Sequence, residues 1–157
     1  MILQIGQGTT IPLATSQGNS IDNVQHPCTP DLADQHWDSV FAKRHLSAKP
    51  RAKMSGRYNC HGMVFASRRT RIFSANEVQK IITEDSYIDV TLENVLEGDF
   101  ILYQEEGDII HSGIVIEPPS ATNMYNPLVI SKWGSGREYI HRGNDCPYPF
   151  MVRYIRI

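Results

Sequence analysis

The 157-residue chain lacks a long hydrophobic run and carries almost no net charge. No stretch approaches the roughly 18 uncharged apolar residues of a membrane-spanning helix. Lys and Arg total 15 and Asp and Glu total 17, so the formal net charge is −2. We therefore expect neither a nucleic acid nor a membrane as partner. Because 41% of the residues are hydrophobic, the chain fits one soluble globular domain and not a disordered or fibrous protein.

A secretory signal is not evident, because polar residues and two glycines, Gly6 and Gly8, interrupt the start of the chain. This pattern predicts a cytoplasmic protein, with export by a specialised route as the alternative. The three cysteines, Cys28, Cys60 and Cys146, are too few for a disulfide framework. One bridge between Cys28 and Cys146 would leave Cys60 free, and reduced thiols are the default expectation.

The chain divides into an irregular N-terminal extension at 1–28 and a single domain at 29–157. In the domain, Thr29 as N-cap and Pro30 at the first helical position predict a first helix that is closed by Lys49-Pro50. A second helix is predicted from Asn59 or Cys60 to about residue 72. A third begins after Ser74, with Glu77 three residues on as the partner in a capping box.

Strand and turn signals replace helical ones after residue 88. Apolar runs bounded by Gly, Pro and acidic turns predict five strands, at 100–103, 109–116, 127–133, 138–141 and 150–155. Helices followed by an antiparallel sheet define the α+β class. We predict two or three helices packed on a sheet of about five or six strands.

Cys60 and His111 form the strongest candidate for chemistry. Cys60 lies where a helix begins, and the free N–H groups and positive dipole end of a helix start stabilise a thiolate. A histidine on a neighbouring strand takes the thiol proton and returns it to a leaving amine. His111 lies within an otherwise apolar strand, with Gly113 on the same face leaving space beside the imidazole.

Three short segments carry a resemblance to a known family. Asn59-Cys60-His61-Gly62 resembles the segment that opens the catalytic helix of NlpC-type cysteine peptidases, which are permuted papain-like enzymes. Residues 97–103 resemble their Gly-Asp strand, and residues 111–116 resemble their histidine strand, in the same order. The resemblance implies a papain-like catalytic domain and a bacterial thiol hydrolase (a peptidase or amidase) without a cofactor. The implied substrate is a short peptide or a cell-wall (peptidoglycan) peptide.

The same resemblance extends to further site residues. In the family a polar residue on a later strand orients the catalytic imidazole, and Ser131 and His141 are the two candidates here. Tyr58 resembles a tyrosine near the oxyanion site, although simple packing explains it equally well. His61 is a second acid/base, a substrate contact or a surface residue, and Trp133 either lines a substrate groove or covers the sheet edge.

Three alternatives to a hydrolase remain. An acyltransferase would use Cys60 and His111 but pass the acyl group to an acceptor other than water. A catalytically inactive binding module would lack a residue that holds His111. A zinc site would draw on a larger set of thiolates and imidazoles, namely Cys60, His61, His111, His141 and Cys146. Because these residues show no paired ligand spacing, we expect no metal.

Overall fold

The computed structural model describes residues 8–26, 29–148 and 151–157, and within them it confirms the α+β class. The described residues form three α-helices and one seven-stranded antiparallel sheet. The helices are α1 (Leu32–Arg44), α2 (Cys60–Phe65) and α3 (Ala75–Glu84). The strands are β1 (Lys49–Pro50), β2 (Ile88–Val90), β3 (Phe100–Glu105), β4 (Asp108–Glu117), β5 (Leu128–Lys132), β6 (Glu138–Arg142) and β7 (Met151–Arg156).

The strand order across the sheet is β1-β6-β5-β4-β3-β7-β2, which places β4 at the centre. The five strands predicted from the sequence, β3 to β7, are all present. The seven strands exceed the predicted five or six because the sheet gains β1 and β2 at its edges. These strands have two and three residues, too few to show an alternating pattern.

Each face of the sheet covers its own hydrophobic core. Successive side chains of a strand point to opposite faces, so Leu102 belongs to one core, while Ile101 and Tyr103 belong to the other. The apolar side chains of α3 pack against the first core. The second receives Phe41 from α1. The sheet is therefore packed against helical residues on both faces.

The first helix begins two residues later than predicted. Its N-cap is Asp31, whose carboxylate accepts the Asp34 N–H at 2.8 Å, while the Asp34 carboxylate accepts the Asp31 N–H at 3.1 Å. This reciprocal capping box competes successfully with Thr29 as the start of the helix. The helix ends at Arg44, and Lys49-Pro50 becomes an edge strand rather than the closing segment.

The second helix has six residues and stops well short of residue 72. It ends because Ser67 and Arg68 adopt left-handed backbone, with φ of 49° and 64°. The Arg68 N–H then donates to the Gly62 carbonyl at 3.0 Å and folds the chain back over the helix. The basic residues after position 67 therefore lie beyond the helix and not in its last turn.

The third helix begins after Ser74 as predicted, but without the predicted capping box. The Ser74 side chain makes no capping hydrogen bond. Glu77 instead accepts the backbone N–H of Asp22 at 2.7 Å and pairs with Lys80 at 2.8 Å. Glu77 thus ties the N-terminal segment to α3.

Residues 8–26 carry no regular helix or strand, and one isolated bridge joins them to the rest of the domain. Val24 pairs with Arg71, and Ile21, which is only 3% exposed, packs into the core beneath α3. Residues 1–7 and 27–28 of the predicted extension lie outside the described residues. In the part of the chain that the structure describes, no helix is long and apolar enough to cross a membrane.

Candidate active site

Cys60 is the first residue of α2, and local hydrogen bonds fix this start. Asn59 is the N-cap, and its side-chain oxygen accepts the N–H groups of Gly62 at 2.9 Å and Ile72 at 3.1 Å. Its amide also donates to the Ile72 carbonyl at 2.7 Å. The asparagine therefore clamps the helix start to the returning chain and places Cys60 at the positive end of the helix.

Gly62 is required where the chain folds back over α2. A Cβ atom at this position would lie 1.7 Å from the Thr70 carbonyl oxygen. The glycine of the Cys-His-Gly segment thus permits the backbone of residue 70 to pack on the helix.

Cys60 is 8% exposed, and its thiol lies close to the imidazoles of His61 and His111. Burial alone would raise its pKa, but the charges and hydrogen-bonding groups of His61 and His111 outweigh burial and hold the pKa well below its ordinary value. Burial in turn lowers the pKa of His61, and the facing thiolate reverses the effect, so that its pKa is raised overall. The site therefore favours a thiolate and an imidazolium over the neutral pair.

His61 is buried, 3% exposed, and is not a surface residue of the first helical turn. Its Nδ1 lies 2.9 Å from the Ser112 Oγ on β4. The hydroxyl fixes the orientation of the ring next to the thiol.

His111 lies on β4, opposite Tyr103 of β3, and is completely buried. Neither of its ring nitrogens has a hydrogen-bond partner of normal geometry among the described residues. The ring is held by aromatic contacts instead: Tyr148 stacks on it at 4.0 Å between centroids, and Tyr103 lies at 5.3 Å. A buried imidazole without a hydrogen-bond partner is energetically costly.

Ser131 and His141 are hydrogen-bonded to each other and not to His111. The Ser131 Oγ lies 2.7 Å from the His141 Nε2, while the His141 Nδ1 donates to the Arg142 carbonyl at 2.6 Å. Burial lowers the pKa of His141 to about 4, so this ring is neutral near pH 7. The pair forms a closed buried network next to the histidine strand.

Gly113 lies where β4 and β5 approach each other closely. A Cβ atom there would lie 2.8 Å from the Ile130 carbonyl oxygen of the neighbouring strand. Glycine is therefore needed for the close approach of β4 and β5.

Tyr58 lies in the loop that precedes Cys60, and Lys132 of β5 contacts this loop. The Tyr58 hydroxyl donates to the buried Glu138 carboxylate at 2.7 Å, and burial together with Glu138 raises the pKa of Tyr58 to about 12. The Lys132 Nζ lies 5.0 Å from the centre of the Tyr58 ring and donates to the carbonyls of Ser55, Gly134 and Gly136. Burial, followed by the charge of Arg71, lowers the pKa of Lys132 to about 8.

Trp133 lies in the second core, only 1% exposed, and lines no open groove. It stacks on Tyr139 at 4.0 Å, and its Nε1 donates to the Ser131 Oγ at 3.1 Å. Cys146 is a buried free thiol whose pKa is raised by burial. Cys28 lies outside the described residues.

Within the described ranges, no three His, Cys, Asp or Glu side chains are grouped so that they could hold a metal ion. The sequence did not single out Ser112, Tyr148 or Glu138 as site residues. Ser112 could have been identified from the sequence as a site residue, because it directly follows His111 on the same strand. Tyr148 and Glu138 carried none, since only the folded chain brings them to the site.

Comparison of the chain with protein-family models, with curated proteins and with solved structures finds no match. The fold and the site alone therefore define its class. It is an α+β protein in which a helix-start cysteine meets two buried histidines at the centre of an antiparallel sheet.

Proposed function

We propose that the protein is a thiol hydrolase that cleaves an amide bond. The observation that carries the proposal is the buried Cys60 at the start of α2, among two imidazoles that lower its pKa.

In the proposed mechanism the Cys60 thiolate attacks the carbonyl carbon of the substrate amide. The oxyanion is stabilised by the Cys60 backbone N–H at the helix start. His111, as imidazolium, gives its proton to the leaving nitrogen, so that an amine departs and a thioester remains. His111 then removes a proton from water, whose oxygen attacks the thioester, and Cys60 is released with a carboxylic acid.

The papain-like, NlpC-type arrangement is part of this proposal. The order of elements supports it, because the cysteine helix α2, the strand β3 that follows Gly98-Asp99 and the histidine strand β4 succeed one another along the chain. β3 and β4 also pair directly. A short peptide or a cell-wall peptide is the substrate that fits this arrangement.

Alkylation with iodoacetamide at pH 6 tests the proposal. We expect Cys60 to react faster than Cys146, whose pKa is raised by burial. His111→Ala should slow Cys60 only partially, because His61 and the helix start remain. His45→Ala is the control, since that imidazole bonds Asp145 at 2.7 Å. Equal labelling of both cysteines, or an unchanged Cys60 rate in a folded His111→Ala protein, would contradict the proposal.

Hydrolysis itself is tested with purified cell-wall stem peptides and mass spectrometry of the products. We expect a mass gain of one water across one amide bond, lost in Cys60→Ala. Ser131→Ala and His141→Ala, assayed in parallel, show whether either residue contributes to the orientation of His111.

An inactive binding module is the second candidate. It is favoured by the absence of a hydrogen-bond partner for His111 among the described residues. Retention of a peptide by both the native protein and Cys60→Ala, without any product, would favour this candidate.

A further inference from the structure

The basic residues of the chain are concentrated around the candidate nucleophile. Between Asp38 and Glu77 the sequence places nine of its 15 Lys and Arg residues and none of its 17 Asp and Glu residues. Cys60 lies inside this interval. Although the net charge of the chain is only −2, the segment around Cys60 is strongly positive and the rest of the chain is negative.

Residues of this basic interval line most of an open cleft of about 370 Å³. It is lined by Pro50, Arg51, Ala52, Lys53 and Arg137. Three of these five residues are cationic, and none is acidic. The cleft is formed at the β1–β6 edge of the sheet, where residues 50–53 pass the turn between β5 and β6.

The carboxylates that pair with the cleft arginines lie behind them. The Arg51 side chain is 43% exposed, while its partner Glu138 is 0% exposed at 2.7 Å. The Arg137 side chain is 46% exposed, while Asp38 is 6% exposed at 3.8 Å. Lys53 has no carboxylate within ion-pair distance among the described residues. A ligand entering the cleft therefore meets positive charge.

Buried hydrogen bonds connect the cleft to the loop that precedes Cys60. Glu138, which holds Arg51, also accepts the hydroxyl of Tyr58, two residues before Cys60. Lys132 ties the same loop to the turn that carries Arg137, because its Nζ donates to the Ser55 and Gly136 carbonyls at 2.8 and 2.7 Å. The cations are thus fixed relative to the thiol.

We propose that this cleft binds an anionic group of the substrate, the carboxylate of an acidic peptide, beside the bond that Cys60 attacks. This inference rests on the proposed hydrolase function and specifies its substrate class. Arginine forks bind carboxylates through two parallel hydrogen bonds. At about 370 Å³ the cleft is large enough for an acidic side chain, and the slightly negative chain as a whole disfavours a nucleic-acid strand.

Two alkylating agents of similar size and different charge test the proposal. Iodoacetate is an anion and iodoacetamide is neutral, so the ratio of their rates at Cys60 measures the local field. We expect this ratio to exceed that of glutathione. It should fall by about two-fold for each of Lys53→Gln and Arg137→Gln, because each change removes one positive charge that attracts the anionic reagent. It should also fall in about 0.5 M salt.

Arg153→Gln is the matched control, because Arg153 lies on β7 towards the opposite edge of the sheet, where it pairs with Asp89. Its ratio should equal that of the native protein. A native ratio no greater than that of glutathione, or a ratio that Lys53→Gln and Arg137→Gln leave unchanged, would overturn the proposal. Slow iodoacetamide labelling of Cys60 would instead overturn the hydrolase function, and the ratio would still be measurable.

Protection of Cys60 from iodoacetamide distinguishes a carboxylate from a phosphate. At equal ionic strength we expect glutarate to protect Cys60 in the native protein more than inorganic phosphate does, and less in Lys53→Gln. Stronger protection by phosphate, or none by glutarate, would overturn the carboxylate assignment.

Discussion

At the scale of single residues, the chemistry of the site depends on which ring nitrogens have hydrogen-bond partners. His61 is oriented by Ser112, whereas His111 packs against two tyrosine rings and has no hydrogen-bond partner of normal geometry among the described residues. These two modes suit two tasks. In the proposed mechanism the bonded imidazole of His61 would stay in a fixed position beside the thiolate, and the imidazole of His111 would transfer the proton.

Ser112→Ala should therefore weaken the thiolate. The change removes the 2.9 Å contact to the His61 Nδ1. It should cost about 1–3 kcal/mol of stability, because a buried imidazole nitrogen loses its partner. The pH midpoint of Cys60 alkylation should rise, which is measured by iodoacetamide rates between pH 4 and 9.

Thr15→Val is the control for this variant. Thr15 is also buried, 6% exposed, and its hydroxyl bonds Glu84 at the end of α3. This variant should lose stability without a change in the alkylation midpoint. An unchanged midpoint in Ser112→Ala would mean that the serine does not position His61.

At the scale of elements, the short helix α2 depends on the chain that returns over it. Gly62→Ala should be severely destabilising, because its Cβ would lie 1.7 Å from the rigid carbonyl of Thr70. We expect a loss of more than about 3 kcal/mol, since backbone and not a flexible side chain must move. Urea unfolding measures this loss.

Gly107→Ala is the comparison for that prediction. Gly107 lies in the hairpin loop between β3 and β4 with φ of 89° and has no atom within 4 Å of a built Cβ. It should cost only about 1 kcal/mol, from backbone strain. Similar losses in the two variants would mean that the return of residue 70 over α2 is not a rigid contact.

Much of the sheet was predictable because its strands alternate or run apolar between clear turns. The two edge strands were not, since the residues of β1 and β2 extend only because β6 and β7 offer them a partner. The early end of α2 also escaped prediction. Ser67 and Arg68 are not typical left-handed residues, and tertiary packing imposes that conformation on them.

The candidate site was also only partly predictable from the sequence. Cys60 and His111 were identifiable because each stands in an unusual local context, a helix start and an apolar strand. The ring that stacks on His111 comes from Tyr148, 37 positions further along the chain. No local pattern encodes that contact, because it depends on how the chain after β6 crosses the sheet.

At the scale of the whole molecule, buried ionisable groups determine how stability responds to pH. His141 is 1% exposed, and burial lowers its pKa to about 4 from an ordinary value of 6.5. Between these two pH values the unfolded chain binds a proton that the folded chain does not. The stability linked to His141 is therefore complete above about pH 6.5 and falls as the pH decreases towards 4.

We expect His141→Gln to remove this contribution. In the native protein the loss attributable to His141 should approach about 3 kcal/mol between pH 6.5 and 4, or about 1.4 kcal/mol per pH unit. Below pH 4 both states bind the proton, and this loss stops. Urea unfolding at half-unit steps from pH 7 to 3.5 measures both proteins. The difference between the two curves isolates His141, because Cys60, His61 and His111 are common to them. Parallel curves across this range would show that His141 titrates alike in the folded and unfolded chains and that burial does not keep it neutral.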